Sequence, residues 1–78
     1  MKPGYAKMLQ TLYDNELNFK LWSEWDAGFQ WEFKNVGGST RTAAEAIERI
    51  WDAAITYSFS LEDQKLHSSL LLEVYSHD

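Results

Sequence analysis

Two alternating apolar runs meet at Asp26-Ala27-Gly28, and their parity restricts the fold more than any other feature of the chain. Leu17, Phe19, Leu21 and Trp25 occupy alternate positions before this tripeptide; Phe29, Trp31 and Phe33 do so after it. Period-two alternation on both sides of turn-forming residues is the pattern of an antiparallel β-hairpin. Because side chains change face at every residue, parity also selects the loop. A loop of two or four residues would set Leu21 and Phe33 on opposite faces. A three-residue loop over 26–28 pairs Trp25 with Phe29, Ser23 with Trp31, Leu21 with Phe33 and Phe19 with Asn35. The strong apolar side chains then share one face, and Gly28 takes the left-handed position that such loops need.

The same parity defines an opposite face with Asn18, Lys20, Trp22, Glu24, Gln30, Glu32, Lys34 and Val36. It is polar apart from Trp22 and Val36. Lys20 is expected opposite Lys34, a mildly unfavourable like-charge pair. A large aromatic ringed by charges is the layout of an interface centre with a polar rim. The expected partner-binding residues are Trp22 with Lys20, Glu24, Glu32 and Lys34, joined by an acidic column formed by Glu45, Glu48 and Asp52.

Helical spacing governs the flanks. Tyr5, Met8, Leu9, Leu12 and Tyr13 form one apolar stripe, with Pro3 suited to a first turn, so a helix is expected from Pro3 to Asp14. Asn35 to Arg41 is rich in Gly, Ser and Thr and reads as a loop. Thr42-Ala43-Ala44-Glu45 is a capping box, and Ala46, Ile47, Ile50, Trp51, Ala54 and Ile55 follow at helical spacing, so a second helix is expected over Thr42–Tyr57. Ser60-Leu61-Glu62-Asp63 resembles a further helix start. Leu66, Leu70 and Val74 continue a helical stripe, while Leu70, Leu72 and Val74 also alternate as a third strand would. Leu outnumbers β-branched residues there, which favours helix. The expected fold is a single α+β domain over 1–78, in the order α-β-β-α-α, with helices on one face of the hairpin. Its expected core is Tyr5, Met8, Leu9, Leu12, Phe19, Leu21, Phe33, Ile47, Ile50, Trp51, Ala54 and Ile55.

With 78 residues and no cysteine, neither disulfides nor a thiolate zinc site can support the fold. Four Trp, four Tyr and four Phe must supply the buried area instead. The lack of cysteine suits a reducing compartment, the amino end shows no signal peptide, and Leu70-Leu71-Leu72 is far shorter than a membrane span. A cytoplasmic protein without membrane contact is expected. The net charge of −5 and the absence of a basic cluster disfavour nucleic acid as partner.

Chemistry-bearing patterns are few. The imidazoles are His67 and His77, and neither has a nucleophile and an orienting group placed around it by helical spacing. No histidine pair or calcium-loop string marks a metal site. Glu45, Glu48 and Asp52 read as a solvated face. Glu24 and Glu32 lie one diagonal step apart on the hairpin, but a two-stranded sheet offers no cleft to shift their ionisation. Ser39, Thr40 and Arg41 precede a helix start and are the candidate anion-binding groups, although the lysine of a phosphate loop is missing. No catalytic residue, metal or cofactor is expected, and no small-molecule substrate is evident.

The functional expectation is a small acidic module that binds another protein, and that pairs with a second copy of itself in one variant of this reading. In size, charge and lack of motifs the chain resembles small inhibitors of phages and mobile elements, anti-CRISPR inhibitors among them, which occlude a site on a large partner. The resemblance is one of scale and composition. Two alternatives stand beside it. One is a single-stranded nucleic-acid binder that uses the sheet face of Lys20, Trp22 and Lys34 as a platform on which a base stacks. The other is a homodimeric structural protein.

Overall fold

The computed structural model describes residues 3–61 together with Lys65, Leu66, Ser68 and Leu70. Helix α1 (Tyr5–Asp14) is followed by strands β1 (Lys20–Glu24), β2 (Gly28–Phe33) and β3 (Val36–Thr40), and then by helix α2 (Ala43–Leu61). The three strands form one antiparallel sheet in the order β1-β2-β3. The fold is α+β, as expected.

Helix α1 starts two residues later than Pro3 suggests. Gly4 is extended and serves as the cap residue, and the first helical bond runs from Met8 N to Gly4 O at 2.9 Å. The helix ends in a Schellman motif. Glu16 has a positive φ of 60°, Glu16 N bonds Tyr13 O at 3.0 Å, and Leu17 N bonds Leu12 O at 2.9 Å. These bonds satisfy carbonyls that a helix end otherwise leaves open. They also turn Leu17 back against the helix it follows, where it is buried in the core with Leu12. Leu17 therefore belongs to the helix stop and not to the first strand. Only Met8, Thr11 and Leu12 of α1 are fully buried. Tyr5 is 43% exposed and Tyr13 77% exposed, so the apolar stripe is narrower than its five residues imply.

The β1–β2 hairpin has a three-residue loop, but over Trp25-Asp26-Ala27. Glu24 closes against Gly28, Ser23 faces Phe29, Trp22 faces Gln30, Leu21 faces Trp31 and Lys20 faces Glu32. Each partner differs from expectation by two residues, so every strand residue keeps its face. Gly28 has a φ of +80°, and a Cβ there would lie 2.5 Å from Thr40 O. The shift removes Trp25 from the core-facing set: it sits in the loop and is 99% exposed. It also replaces the expected Lys20–Lys34 pair by Lys20–Glu32, whose charged atoms are 3.7 Å apart.

Residues 36–40 form a strand where a loop is expected. Phe33 faces Val36, Trp31 faces Gly38 and Phe29 faces Thr40. The third strand among the described residues is thus β3. Lys65, Leu66, Ser68 and Leu70 are helical, and the other residues of the segment 68–75, for which a strand is the alternative, lie outside the described residues. Gly38 matters to the packing of β2. A Cβ at position 38 would approach Trp31 Nε1 to 3.2 Å, so the bare backbone lets the indole lie across the strand.

Helix α2 begins with the expected cap. Thr42 Oγ1 accepts from Glu45 N at 3.1 Å and donates to Glu45 Oε1 at 3.3 Å. The helix continues past Tyr57 to Leu61. The hydroxyls of Ser58 and Ser60 donate back to Ile55 O at 2.6 Å and Tyr57 O at 2.9 Å, which allows both serines inside the helix. Ser60 is therefore not a new helix start.

Ala46, Ile47, Ile50, Trp51 and Ala54 of α2 form the core with Trp31, Phe33, Met8, Leu12, Leu17 and Leu70. Leu9, Phe19, Leu21 and Ile55 pack on its edge, so Tyr5 is the one expected core residue that is exposed. Trp51 is fully buried, and its Nε1 has no hydrogen-bond partner among the described residues. No helix among the described residues is long and apolar enough to cross a membrane.

Candidate functional site on the open sheet face

Helix α2 packs on the face of the sheet that carries Trp31 and Phe33. The alternate residues Lys20, Trp22, Glu24, Gln30, Glu32, Gly37 and Ser39 form the opposite face. Their order is set by hydrogen bonds that leave the aromatic ring uncovered. Trp22 Nε1 donates to Glu24 Oε2 at 3.1 Å. Next to Trp22, Gln30 Nε2 donates to Ala27 O at 2.8 Å and Gln30 Oε1 accepts from Ser39 Oγ at 2.6 Å. The rung Trp22–Gln30–Ser39 thus runs across all three strands. Trp22 is 44% exposed. Trp25 projects from the same hairpin's tip.

The structure gathers Lys20, Trp22, Glu24 and Glu32 on this face, as expected. Lys34 stands at its edge, lining a recess of about 260 Å³ with Asn18, Phe19, Lys20 and Glu32, but its ammonium turns to the other side. Lys34 lies in the two-residue turn between β2 and β3 with a φ of 55°. Its Nζ is 5.0 Å from the Tyr57 ring centroid and 5.9 Å from that of Phe33, on the α2 side of the sheet. The acidic column also lies on α2, and so on the far side of the sheet from Trp22. Within it Glu45 serves the cap and Glu48 Oε2 accepts from the Tyr5 hydroxyl at 2.8 Å. That bond, with the charge of Glu48 behind it, holds the Tyr5 phenol above the ordinary tyrosine value. Glu45, Glu48, Arg49 and Asp52 border a small recess of about 110 Å³. No group of three or more His, Asp or Glu among the described residues could hold a metal ion.

Ser39, Thr40 and Arg41 do not converge. Ser39 and Thr40 are on opposite faces of β3, and their hydroxyls donate to Gln30 and to Thr42 O, the latter at 2.7 Å. His67 and His77 lie outside the described residues.

A feature invisible to the sequence pattern is a groove between the β2–β3 turn and α2, with a volume of about 590 Å³. Trp31, Phe33, Val36, Ala53 and Tyr57 give it apolar walls, and Lys34, Arg49 and Asp52 stand among its lining residues. Phe33 and Tyr57 meet edge to face, with centroids 5.6 Å apart. The residues come from a turn and a helix, so no local spacing announces them.

Known proteins add nothing to this geometry: no family model, curated protein or solved structure matches the chain.

Proposed function

We propose that the chain is a non-catalytic module that docks a partner protein through the open sheet face and the tip of the β1–β2 hairpin. The observation that carries this reading is the exposure of two tryptophans of one hairpin, Trp25 in its loop at 99% and Trp22 on its open face at 44%. An indole left in water forgoes the burial that makes tryptophan the residue richest in interface energy. Around the two indoles, charged and hydrogen-bonded side chains supply a polar rim. A module of this kind acts by covering a site on its partner, as an inhibitor or adaptor of a phage or mobile element would. The absence of cysteine accords with work in the cytoplasm.

The nucleic-acid reading loses support from the placement of Lys34. Its platform needs the charges of Lys20 and Lys34 beside Trp22, but Lys20 is paired with Glu32 and the Lys34 ammonium stands over the Tyr57 ring. A net charge of −5 opposes it further.

The test places a photo-crosslinking benzoylphenylalanine at position 25, identifies what it captures, and measures binding of the purified partner to Trp22→Ala and Trp25→Ala. Each variant is expected to weaken binding by about 2 kcal/mol or more, the size of an interface hot spot. Unchanged affinity in both would refute the reading. Capture of a second copy of the chain would make the same face a homodimer interface.

A further inference from the structure

We propose that the groove between the β2–β3 turn and α2 is a binding site for a small amphiphilic carboxylate, an apolar body carrying one acid group. Its volume of about 590 Å³ is that of a ligand site. Phe33 and Trp31 are buried at its base, while Val36 beside them is 52% exposed and offers an apolar lip. The apolar body fits against these side chains and the ring of Tyr57.

The acid group is indicated by charge. The chain has twelve acidic residues against seven basic ones, yet two of its cations, Lys34 and Arg49, line this one groove. Neither is paired with a carboxylate among the described residues. Lys34 stands over the Tyr57 ring and Arg49 also borders the recess of Glu45, Glu48 and Asp52, and together they give the apolar wall a positive edge that suits a ligand combining both characters. Arg49 can grip a carboxylate through two parallel N–H groups, and Lys34 adds a point charge. Asp52 also lines the groove and has an interaction of its own. Its negative charge favours a singly charged head over a doubly charged phosphate.

Backbone conformation gives independent support. Lys34 has a φ of 55° in a two-residue hairpin turn, where glycine is the usual residue of positive φ. A lysine there is strained, and such strain is a pointer to function. Its effect is visible: a strand continued through residue 34 would set it opposite Asn18 on the open face, whereas the turn puts the ammonium over Tyr57 at the groove.

The experiment uses decanoate, decanol and decyl phosphate as probes, with amide chemical shifts of the full chain as readout. Decanoate is expected to shift Lys34, Val36, Ala53 and Tyr57 saturably and to bind about tenfold more tightly than decanol, the contribution of one charge-assisted hydrogen bond. Lys34→Gln and Arg49→Gln, both at exposed positions, should each weaken decanoate about fivefold or more and leave decanol unchanged. Ala53→Trp should fill the groove and abolish binding of both; if it fails to fold, the two glutamine variants carry the test. Equal binding of decanoate and decanol overturns the proposal, as does absence of saturable shifts. Tighter binding of decyl phosphate overturns the choice of a carboxylate. Shifts at these residues that depend on protein concentration without any probe would assign the groove to a second copy of the chain and overturn the proposal too.

Discussion

The indole N–H of Trp22 donates to Glu24 Oε2 at 3.1 Å, so one residue of β1 satisfies the polar atom of another and leaves its ring open to solvent. Such a bond positions the side chain without contributing much to stability. Trp22→Ala and Trp25→Ala should therefore change the unfolding free energy by less than about 0.5 kcal/mol, as is usual for exposed sites. Urea unfolding of both variants measures this. A loss of several kcal/mol for Trp22→Ala would place that ring in the core and remove the basis for the interface.

Glu16 is held at a φ of 60° by the Schellman bonds that end α1. A left-handed conformation costs a non-glycine residue roughly 1–2 kcal/mol, part of which glycine returns as unfolded-chain entropy. Glu16→Gly should raise stability by about 0.5–1 kcal/mol, and Glu16→Val should lower it. Denaturant midpoints for the pair decide the matter, and a glycine variant less stable than the parent would contradict the assigned stop.

Trp51 is fully buried and its Nε1 is unpartnered among the described residues. Trp51→Ala should cost about 3–5 kcal/mol through the cavity it leaves. Trp51→Phe loses volume but also removes an unsatisfied donor, whose burial costs about 1–3 kcal/mol, so its penalty should be well below that of alanine. Chemical unfolding compares the two, and equal penalties would mean that the indole N–H is in fact bonded.

Thr42 accepts from the backbone of Glu45 at 3.1 Å. Thr42→Ala should cost about 1 kcal/mol, and Thr42→Ser only a few tenths. Equal losses on thermal unfolding would argue that the methyl group and not the hydroxyl matters.

The Tyr5–Glu48 bond carries a pH dependence. Its hydrogen bond first, and the Glu48 charge second, raise the Tyr5 pKa above 10.0. A group whose folded pKa is raised contributes stability that is present below the unfolded value and lost as pH rises through the folded one. The contribution from Tyr5 should thus disappear in the alkaline range above 10.0. A ring-carbon NMR titration of Tyr5 should show its midpoint fall when Glu48 is replaced by Gln; an unmoved midpoint would rule out the bond as the cause.

Much of the sheet was legible because face depends on parity alone. Leu21, Trp31 and Phe33 face the helices under the expected register and under the observed one, since a shift of two residues preserves parity. For the same reason parity cannot choose between the two registers, and Trp25, expected on the helix-facing side of the strand, belongs to the loop. Residues 36–40 look like a loop by local preference; their strand exists because β2 offers an edge and Trp31 needs a neighbour without a side chain. Leu17 continues the alternation of the first strand by coincidence, its burial arising from the helix stop. Of the candidate interface, Lys20, Trp22, Glu24 and Glu32 could be read from alternation. Lys34 could not, because a positive φ at lysine has no signature in sequence.

Position 38 ties the history of β3 to that of β2. The approach of 3.2 Å between an added Cβ and Trp31 Nε1 means that a side chain at 38 is accommodated only if the indole at 31 gives way by a few tenths of an ångström. Divergent copies of this chain should accordingly keep glycine with tryptophan, or exchange both together for a larger residue at 38 and a smaller one at 31. Sequences carrying only one of the two changes should be rare, which makes this pair a marker for finding remote kin by paired substitution.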